Sequence, residues 1–309
     1  MKLSVVATLY QSAPYIEAFC ERAGEAARKL VGEDFEIILV NDGSPDDSLK
    51  VAVDLTKTFL QLVVVDLSRN FGHHKAMMAG LHHACGEQIF LLDSDLEEEP
   101  EWLLAFHEKM IRDVCDVVYG VQVKRKGGWF ERWSGRLYYK VLCALVGIDL
   151  PESVVTARLM TRRFVDALLQ HDEREMFLGG LFSLAGFGQV PMIVKKHSTS
   201  ETTYTFKRKM VLLINTVTSF SNVPLMMIFY FGLLISLVAG GYVAYITINW
   251  IFFAAPPSGW TSVIASIWLL GGMMISFLGV IGIYLSKVFI ETKRRPYTIV
   301  RRIYGRASK

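Results

Sequence analysis

From Met210 to Ser286 the chain carries not one Asp, Glu, Lys, Arg or His, and this 77-residue stretch is rich in Leu, Ile, Val, Phe, Met and Gly. A soluble domain has no place for so long an uncharged run, whereas a lipid environment favours it. The run divides at Ala254-Ala255-Pro256-Pro257-Ser258-Gly259, a turn signal, into apolar segments 225–253 and 261–286. A helix needs about 20 residues to cross the hydrocarbon. The pattern therefore predicts two transmembrane helices within 223–286, joined by a tight hairpin. Lys207, Arg208 and Lys209 precede them, and Lys287, Lys293, Arg294, Arg295, Arg301, Arg302, Arg306 and Lys309 follow, against a single acid, Glu291. Lys and Arg collect on the cytoplasmic side, and the connecting turn is uncharged, so a multi-pass arrangement with both termini cytoplasmic is expected. The segment 287–309 reads as a basic juxtamembrane tail carrying +7 in a chain whose net charge is only +3. Basicity of this kind marks a membrane surface, and no nucleic-acid partner is expected.

Ahead of the first span, Met210, Leu213, Ile214, Val217 and Phe220 recur at helical spacing with Asn215, Thr218 and Asn222 opposite, which predicts an interfacial amphipathic helix over 207–222. Gly272, Ser276 and Gly279 form a small-residue stripe suited to close helix packing, within the hairpin or between subunits of a homo-oligomer. Cys20, Cys85, Cys115 and Cys143 show no metal or redox spacing, as in a reducing compartment. The first apolar run is cut short by Gln11 and Ser12 and reads as a strand, not a signal peptide.

Over residues 1–206, apolar runs at 3–9, 36–40, 62–67, 88–92 and 116–121 alternate with helical patterns at 14–31, 45–59 and 72–84. Such alternation predicts an α/β domain with a mostly parallel sheet. Ligands then sit beyond the carboxyl ends of the strands. Those ends read Thr8-Leu9-Tyr10, Asn41-Asp42-Gly43-Ser44, Ser68-Arg69-Asn70-Phe71-Gly72 and Asp93-Ser94-Asp95. Two carboxylates two residues apart at a buried strand end suit Mg²⁺ or Mn²⁺, which takes one or two carboxylates together with a substrate's phosphates. The bland alternative is that Asp93 and Asp95 cap the helix that starts near Pro100. Asp42 either accepts hydrogen bonds from a base or ribose or closes an Asx-turn. The basic, aromatic stretch Lys124-Arg125-Lys126-Gly127-Gly128-Trp129-Phe130 is either a loop over the site or a solvated charge run. The pairs His73-His74 and His82-His83 are spread along one helix and read as polar helix positions, not as a metal site.

Taken together, the Val-Asn-Asp-Gly-Ser stretch, the Ser-Arg-Asn-Phe-Gly segment at 68–72, Asp93-Ser94-Asp95 with Pro100-Glu101, and Arg158-Leu159 with Arg162-Arg163 resemble family 2 glycosyltransferases. With two C-terminal spans, the whole chain looks like the polyprenyl-phosphate glycosyltransferase group, which includes dolichol-phosphate mannose synthase and the bactoprenol glucosyl and aminoarabinosyl transferases. The resemblance implies a GT-A fold with a mixed, mostly parallel sheet, a nucleotide-sugar donor, a polyprenyl (undecaprenyl) phosphate acceptor and a bacterial inner-membrane location. Carried over, it places Thr8, Tyr10, Asp42, Gly43, Ser44, Asn70, Gly72 and Ser94 on the nucleotide. Asp93, Asp95 and Glu97, the last where relatives usually have Gln, would hold the metal; Glu97 equally reads as a solvent-facing acid in the run Glu97-Glu98-Glu99. Arg158, Arg136, Lys124 and Arg125 become candidates for the acceptor phosphate, Arg being suited to bidentate contact.

The chain departs from the family pattern in several places. Thr8 and Gln11 replace a usual Pro and Asn, and Ser200 and Thr203 replace a Gly and a Lys. Where many relatives have Gly-Asp-Phe-Arg, this chain has Val155-Thr156-Ala157-Arg158, so the acid often proposed as general base is missing. A phosphate monoester is largely dianionic at pH 7 and attacks unaided, so Asp93, Asp95 and Arg158 are expected to suffice for an inverting displacement. Two competing readings are a membrane-anchored nucleotide-sugar-binding protein without activity, motivated by Thr156 and the Ser200 to Thr203 segment, and a processive polysaccharide synthase. The latter has a Q-x-x-R-W signature and more spans, whereas here Arg132-Trp133 is preceded by Trp129.

Overall fold

The computed structural model describes residues 1–122, 153–174, 178–196, 217–218, 221–253 and 259–305. They form two units, one built from the first two thirds of the chain together with residues from Arg295 onward, the other from the apolar C-terminal region up to Arg294.

In the first unit, β1 (Leu3–Leu9), β2 (Phe35–Asn41) and β3 (Leu62–Leu67) are buried at every residue. That is why their sequences are mainly apolar, since a parallel sheet covered on both faces has no polar side; the buried exceptions Ser4, Thr8, Glu36, Asn41 and Asp66 are hydrogen-bonded. β1 pairs in parallel with β2 and with β4 (Gln88–Leu91), and β2 pairs in parallel with β3. On one face Leu3, Val5, Ala7 and Leu9 meet α1 (Ile16–Val31) through Ile16, Phe19, Cys20, Ala23 and Ala27, and α4 (Trp102–Asp113) through Leu103, Phe106 and Met110. These positions recur at three and four residues, the spacing of one helix face. Each fully buried Leu, Ile or Phe contributes about 1.5–3 kcal/mol by leaving water. α1 ends at Gly32, whose φ of +64° admits the reversal of the chain.

α2 (Ser48–Leu55) follows β2, and α3 (His73–His83) covers the other face. Gly80 of α3 is there because a Cβ would lie 2.5 Å from Val6 Cγ1 and 3.0 Å from Val40 Cγ2. Its absence lets the helix settle on the sheet.

Beyond β4 the sheet turns mixed. β6 (Val154–Thr161) runs antiparallel to β4 and to β5 (Val117–Gln122), and β7 (Gln189–Val194) is parallel to β5. Between β6 and β7 lie α5 (Arg162–Leu169) and α6 (Leu178–Leu184). β8 (Val300–Tyr304) adds antiparallel to β3, giving the order β7-β5-β6-β4-β1-β2-β3-β8. Part of the segment read as a basic tail is thus a strand of the sheet. Strands β1 to β4 finish on one edge, and β6 starts there, since Leu91 faces Arg158. β5 and β7 finish there too, as Gln122 faces Val194.

In the second unit, α7 (Val223–Phe253) and α8 (Trp260–Thr292) are the two apolar helices. Phe231 lies edge-to-face with Phe277 at 6.4 Å, and Tyr284 Oη donates to the Ser221 carbonyl at 2.6 Å. Large apolar side chains such as Trp268 (78% exposed) and Ile275 (73%) face outward, as they do against lipid. Among the described residues one segment, Ser266–Thr292, is long and apolar enough to cross a membrane; the apolar part of α7, Val223–Ala239, is shorter by that measure. A Cβ at Gly272 or Gly279 would meet nothing described within 4 Å. Most of the interfacial helix expected over 207–222, and the whole basic stretch 124–136, lie outside the described residues.

Candidate active site

The edge where the strands end gathers the polar segments. Asp42 is buried, and its carboxylate accepts Phe71 N–H at 2.7 Å and Gly72 N–H at 3.0 Å. Both donors lie about 30 positions along the chain, so this is a tie between loops and not a local Asx-turn: Asp42 joins the end of β2 to the 68–72 loop. Gly43, at φ +59°, makes that approach feasible, because a Cβ would lie 2.4 Å from Asn70 N. Ser44 accepts Gln11 N–H at 2.8 Å and donates to Asp46 at 2.5 Å. Ser94 is buried and donates to the Thr8 carbonyl at 2.8 Å. Asp42, Ser44 and Ser94 therefore brace the loops, while Tyr10 and Asn70 are exposed on them. Thr8 Oγ1 lies 3.0 Å from His73 Nδ1.

Asp93 sits at the centre of the acidic segment. Its Oδ2 accepts the Thr156 hydroxyl at 2.9 Å. Oδ1 is 3.3 Å from His73 Nε2, yet among the described residues it has no aligned hydrogen-bond donor and is buried. Burial alone raises its pKa, but the adjacent His73, with Lys196 and the Thr156 hydroxyl, holds the carboxyl below the ordinary range. Burial pushes Asp95 up, and its Oδ1 accepts Glu97 N–H at 3.0 Å.

Glu97 and Glu98 are not solvent-facing, being 7% and 0% exposed. Glu98 accepts Thr156 N–H at 2.9 Å and Asp93 N–H at 3.4 Å, clamping the end of β4 to the start of β6. Burial, with the charge of Asp93 behind it, pushes its carboxyl up to about 7. Lys196, two residues beyond β7, brings a positive charge to these acids. Its Nζ is 3.3 Å from Glu97, 3.7 Å from Glu98 and 3.8 Å from Asp93. Burial opposes its charge, but the acids, Glu98 foremost, hold its pKa above the ordinary lysine range.

A hard divalent cation fits this donor set: Asp93 offers a buried oxygen that accepts no aligned hydrogen bond, with the Asp95 and Glu97 carboxylates in the same segment. Among the described residues no three such side chains already converge on a common point. That is compatible with Mg²⁺ or Mn²⁺, which takes few protein ligands and leaves positions to water and phosphate oxygens.

Arg158, expected in catalysis and at the acceptor phosphate, lies on β6 opposite Leu91, at the edge where the strands end. It is 8% exposed, its guanidinium stacks 3.6 Å from the centre of the Phe182 ring, and it donates to the Thr156 and Val155 carbonyls. Burial lowers its pKa to about 10, partly offset by Glu98, Tyr119 and Asp93. Its charge stands close to the acids Glu98 and Asp93. Lys124, Arg125 and Arg136 lie outside the described residues. Sequence reading missed Glu98, Lys196 and the approach of His73 to Asp93, and nothing in their local spacing signals them.

Residues 4–169 match glycosyl transferase family 2, and the chain belongs to that family. It is a glycosyltransferase with the GT-A sheet expected of one. A Mycobacterium tuberculosis protein named among the glycosyltransferases is 51% identical over 99% of this chain and 89% of its own length. The prophage bactoprenol glucosyl transferase homolog of Escherichia coli is 30% identical over 98% of this chain and 99% of its own. Among solved structures, a mannosyltransferase of Pyrobaculum calidifontis in complex with GDP-Man and Mn²⁺ aligns with a TM-score of 0.47 at 15% identity, over 94% of this chain and 84% of that one.

Proposed function

We propose that this membrane-bound enzyme moves a sugar from a nucleotide-sugar donor to a polyprenyl phosphate, with inversion, at the cytoplasmic face of a bacterial membrane. The observation that carries the reading is the Asp93 carboxylate: half-buried, held below the ordinary carboxyl range and with a buried Oδ1 that accepts no aligned hydrogen bond, it stands at the strand-end edge of a glycosyltransferase sheet. The apolar helix Ser266–Thr292 in the same chain supports a lipid acceptor, and so does the name of the E. coli relative.

In this reading the donor's nucleotide lies along Tyr10, Asp42 to Ser44 and Asn70 to Gly72, with its diphosphate toward Asp93, Asp95 and Glu97. An acceptor phosphate oxygen attacks the anomeric carbon; the new C–O bond forms as the bond to the nucleoside diphosphate breaks, and the bonding pair leaves with the diphosphate. A cation held by Asp93 and Asp95 would neutralise the charge developing there. No base is needed, since the attacking phosphate is already largely dianionic. Thr156 then has only to orient Asp93, and Arg158 and Lys196 balance the buried acids. Acceptor contacts fall to the 124–136 region, and a homo-oligomeric assembly with two spans per chain completes the proposal.

Thr156 also motivates a second reading, a membrane-anchored nucleotide-sugar-binding protein without activity, because a hydroxyl stands where relatives carry an acid. One experiment separates the two. Detergent-solubilised protein is incubated with Mn²⁺, undecaprenyl phosphate and labelled UDP-, GDP- and dTDP-sugars in turn, and label is counted in the organic extract. Label that vanishes with Asp95→Ala is expected; nucleotide binding without transfer across the panel overturns the transferase reading in favour of the second.

A further inference from the structure

Residues 293–299 carry the chain out of α8, after which it forms β8 on the edge of the sheet. β8 pairs with β3, and the register slips between Asp66 and Leu67. Arg301 straddles that slip. Its Nη2 donates to the Ser68 carbonyl at 2.6 Å, and its Nη1 lies 3.3 Å from Asp66 Oδ2. Asp66 is 1% exposed, a buried acid whose cation is a half-exposed arginine from the far end of the chain. The other Asp66 oxygen accepts Asn41 Nδ2 at 2.8 Å, and Asn41 Oδ1 accepts Ser44 N–H at 3.2 Å.

One guanidinium is therefore linked to both loops of the nucleotide side, to one directly and to the other through two residues. Through Ser68 it meets the 68–72 loop, and through Asp66 and Asn41 it meets the turn Asp42-Gly43-Ser44. Those loops are themselves joined by Asp42. Strand pairing alone does not require this: β8 bonds to β3 through its backbone, and the neighbouring Arg302 turns its guanidinium over Tyr304 at 5.0 Å. Removing Arg301 would leave a buried carboxylate without its cation, and Asn41, which orients Ser44, would answer to an altered partner.

We propose that Arg301 is a positioning residue for the donor, so that the strand following the apolar helix sets the affinity for the nucleotide. This rests on the reading of that edge as the donor's side. The test is calorimetric titration of the full-length protein in detergent with UDP and Mn²⁺, then with GDP and dTDP, for wild type, Arg301→Ala, Arg301→Lys and Arg302→Ala, with thermal unfolding of each. Arg301→Ala is expected to weaken nucleotide binding about fivefold and to raise the donor KM by the same factor while kcat at saturating donor holds, the mark of lost ground-state positioning. Arg301→Lys, which keeps the charge but not the fork, is expected to recover part of the affinity even if the alanine variant proves too unstable to assay. Unchanged binding in Arg301→Ala, or equal losses in Arg301→Ala and Arg302→Ala, overturns the relay while leaving the donor reading intact. Failure of the wild type to bind any of the three nucleotides removes the donor reading and the relay with it.

Discussion

The Thr156 hydroxyl donates a 2.9 Å hydrogen bond to Asp93 Oδ2 where β6 begins beside the end of β4. An acid at 156 would confront Asp93 with a like charge, whereas the hydroxyl occupies Oδ2 and leaves Oδ1 facing His73 Nε2 at 3.3 Å. Thr156→Val, which keeps the shape and removes the donor, is expected to lower turnover about tenfold, corresponding to about 1.4 kcal/mol, with little change in donor KM. Thr156→Ser should retain most of the activity. Steady-state kinetics on both variants checks this, and equal activity in the valine variant would remove Thr156 from the site.

Asp93 and Asp95 are expected to hold the divalent cation. Manganese binding, followed by the loss of the free-ion electron paramagnetic resonance signal in the presence of UDP, should disappear in Asp93→Asn and weaken in Asp95→Asn. Sugar transfer should fall by roughly 10²–10³ in each. Full Mn²⁺ binding by Asp93→Asn would contradict the assignment.

Lys196 supplies positive charge to Glu97, Glu98 and Asp93 before any cation arrives. Two cations close to the same acids repel each other. Lys196→Met is expected to bind Mn²⁺ several-fold more tightly than wild type, yet to melt at a lower temperature without Mn²⁺, because the acids then face one another uncompensated. Weaker or unchanged Mn²⁺ binding would show that the lysine and the ion do not share those acids.

Glu98 gives a pH signature. Its carboxyl is raised in the fold to about 7 from an ordinary 4.5, burial being the main cause. The native state therefore binds the proton more strongly than the unfolded chain does. Its contribution favours the fold below about pH 4.5 and is lost as pH rises toward 7, on the order of a few kcal/mol. Glu98→Gln, which removes the titration, is expected to flatten that part of the stability profile, so wild type and variant should diverge in Tm between pH 4.5 and 7. Parallel profiles would place the titration elsewhere.

Gly43 tests the backbone of the nucleotide side. With φ at +59° and Asn70 N 2.4 Å from where a Cβ would stand, Gly43→Ala is expected to cost about 1–3 kcal/mol and to weaken nucleotide binding. A variant with wild-type Tm and affinity would mean the turn relaxes freely.

Much of this architecture was written locally. Strands β1 to β4 are legible because a parallel sheet buried on both faces favours mainly apolar runs, and the polar residues at their carboxyl ends, Thr8, Asn41, Ser68 and Asp93, mark the edge where the site lies. The uncharged run from 210 to 286 dictated apolar helices in the same way. Other features depend on pairings between distant segments. That Glu98, within a run of three acids, is the one fully buried follows from β6 passing beside β4 to offer it Thr156 N–H. Lys196 reaches Asp93 because β7 lies parallel to β5, and Arg301 reaches Asp66 because β8 returns to β3. Composition and period along the chain determined which segments are buried and where they end, since those follow from each residue's own transfer free energy. Which acid meets which base was decided by strand order, and that order is fixed by contacts between segments distant in the chain, β3 and β8 the farthest apart.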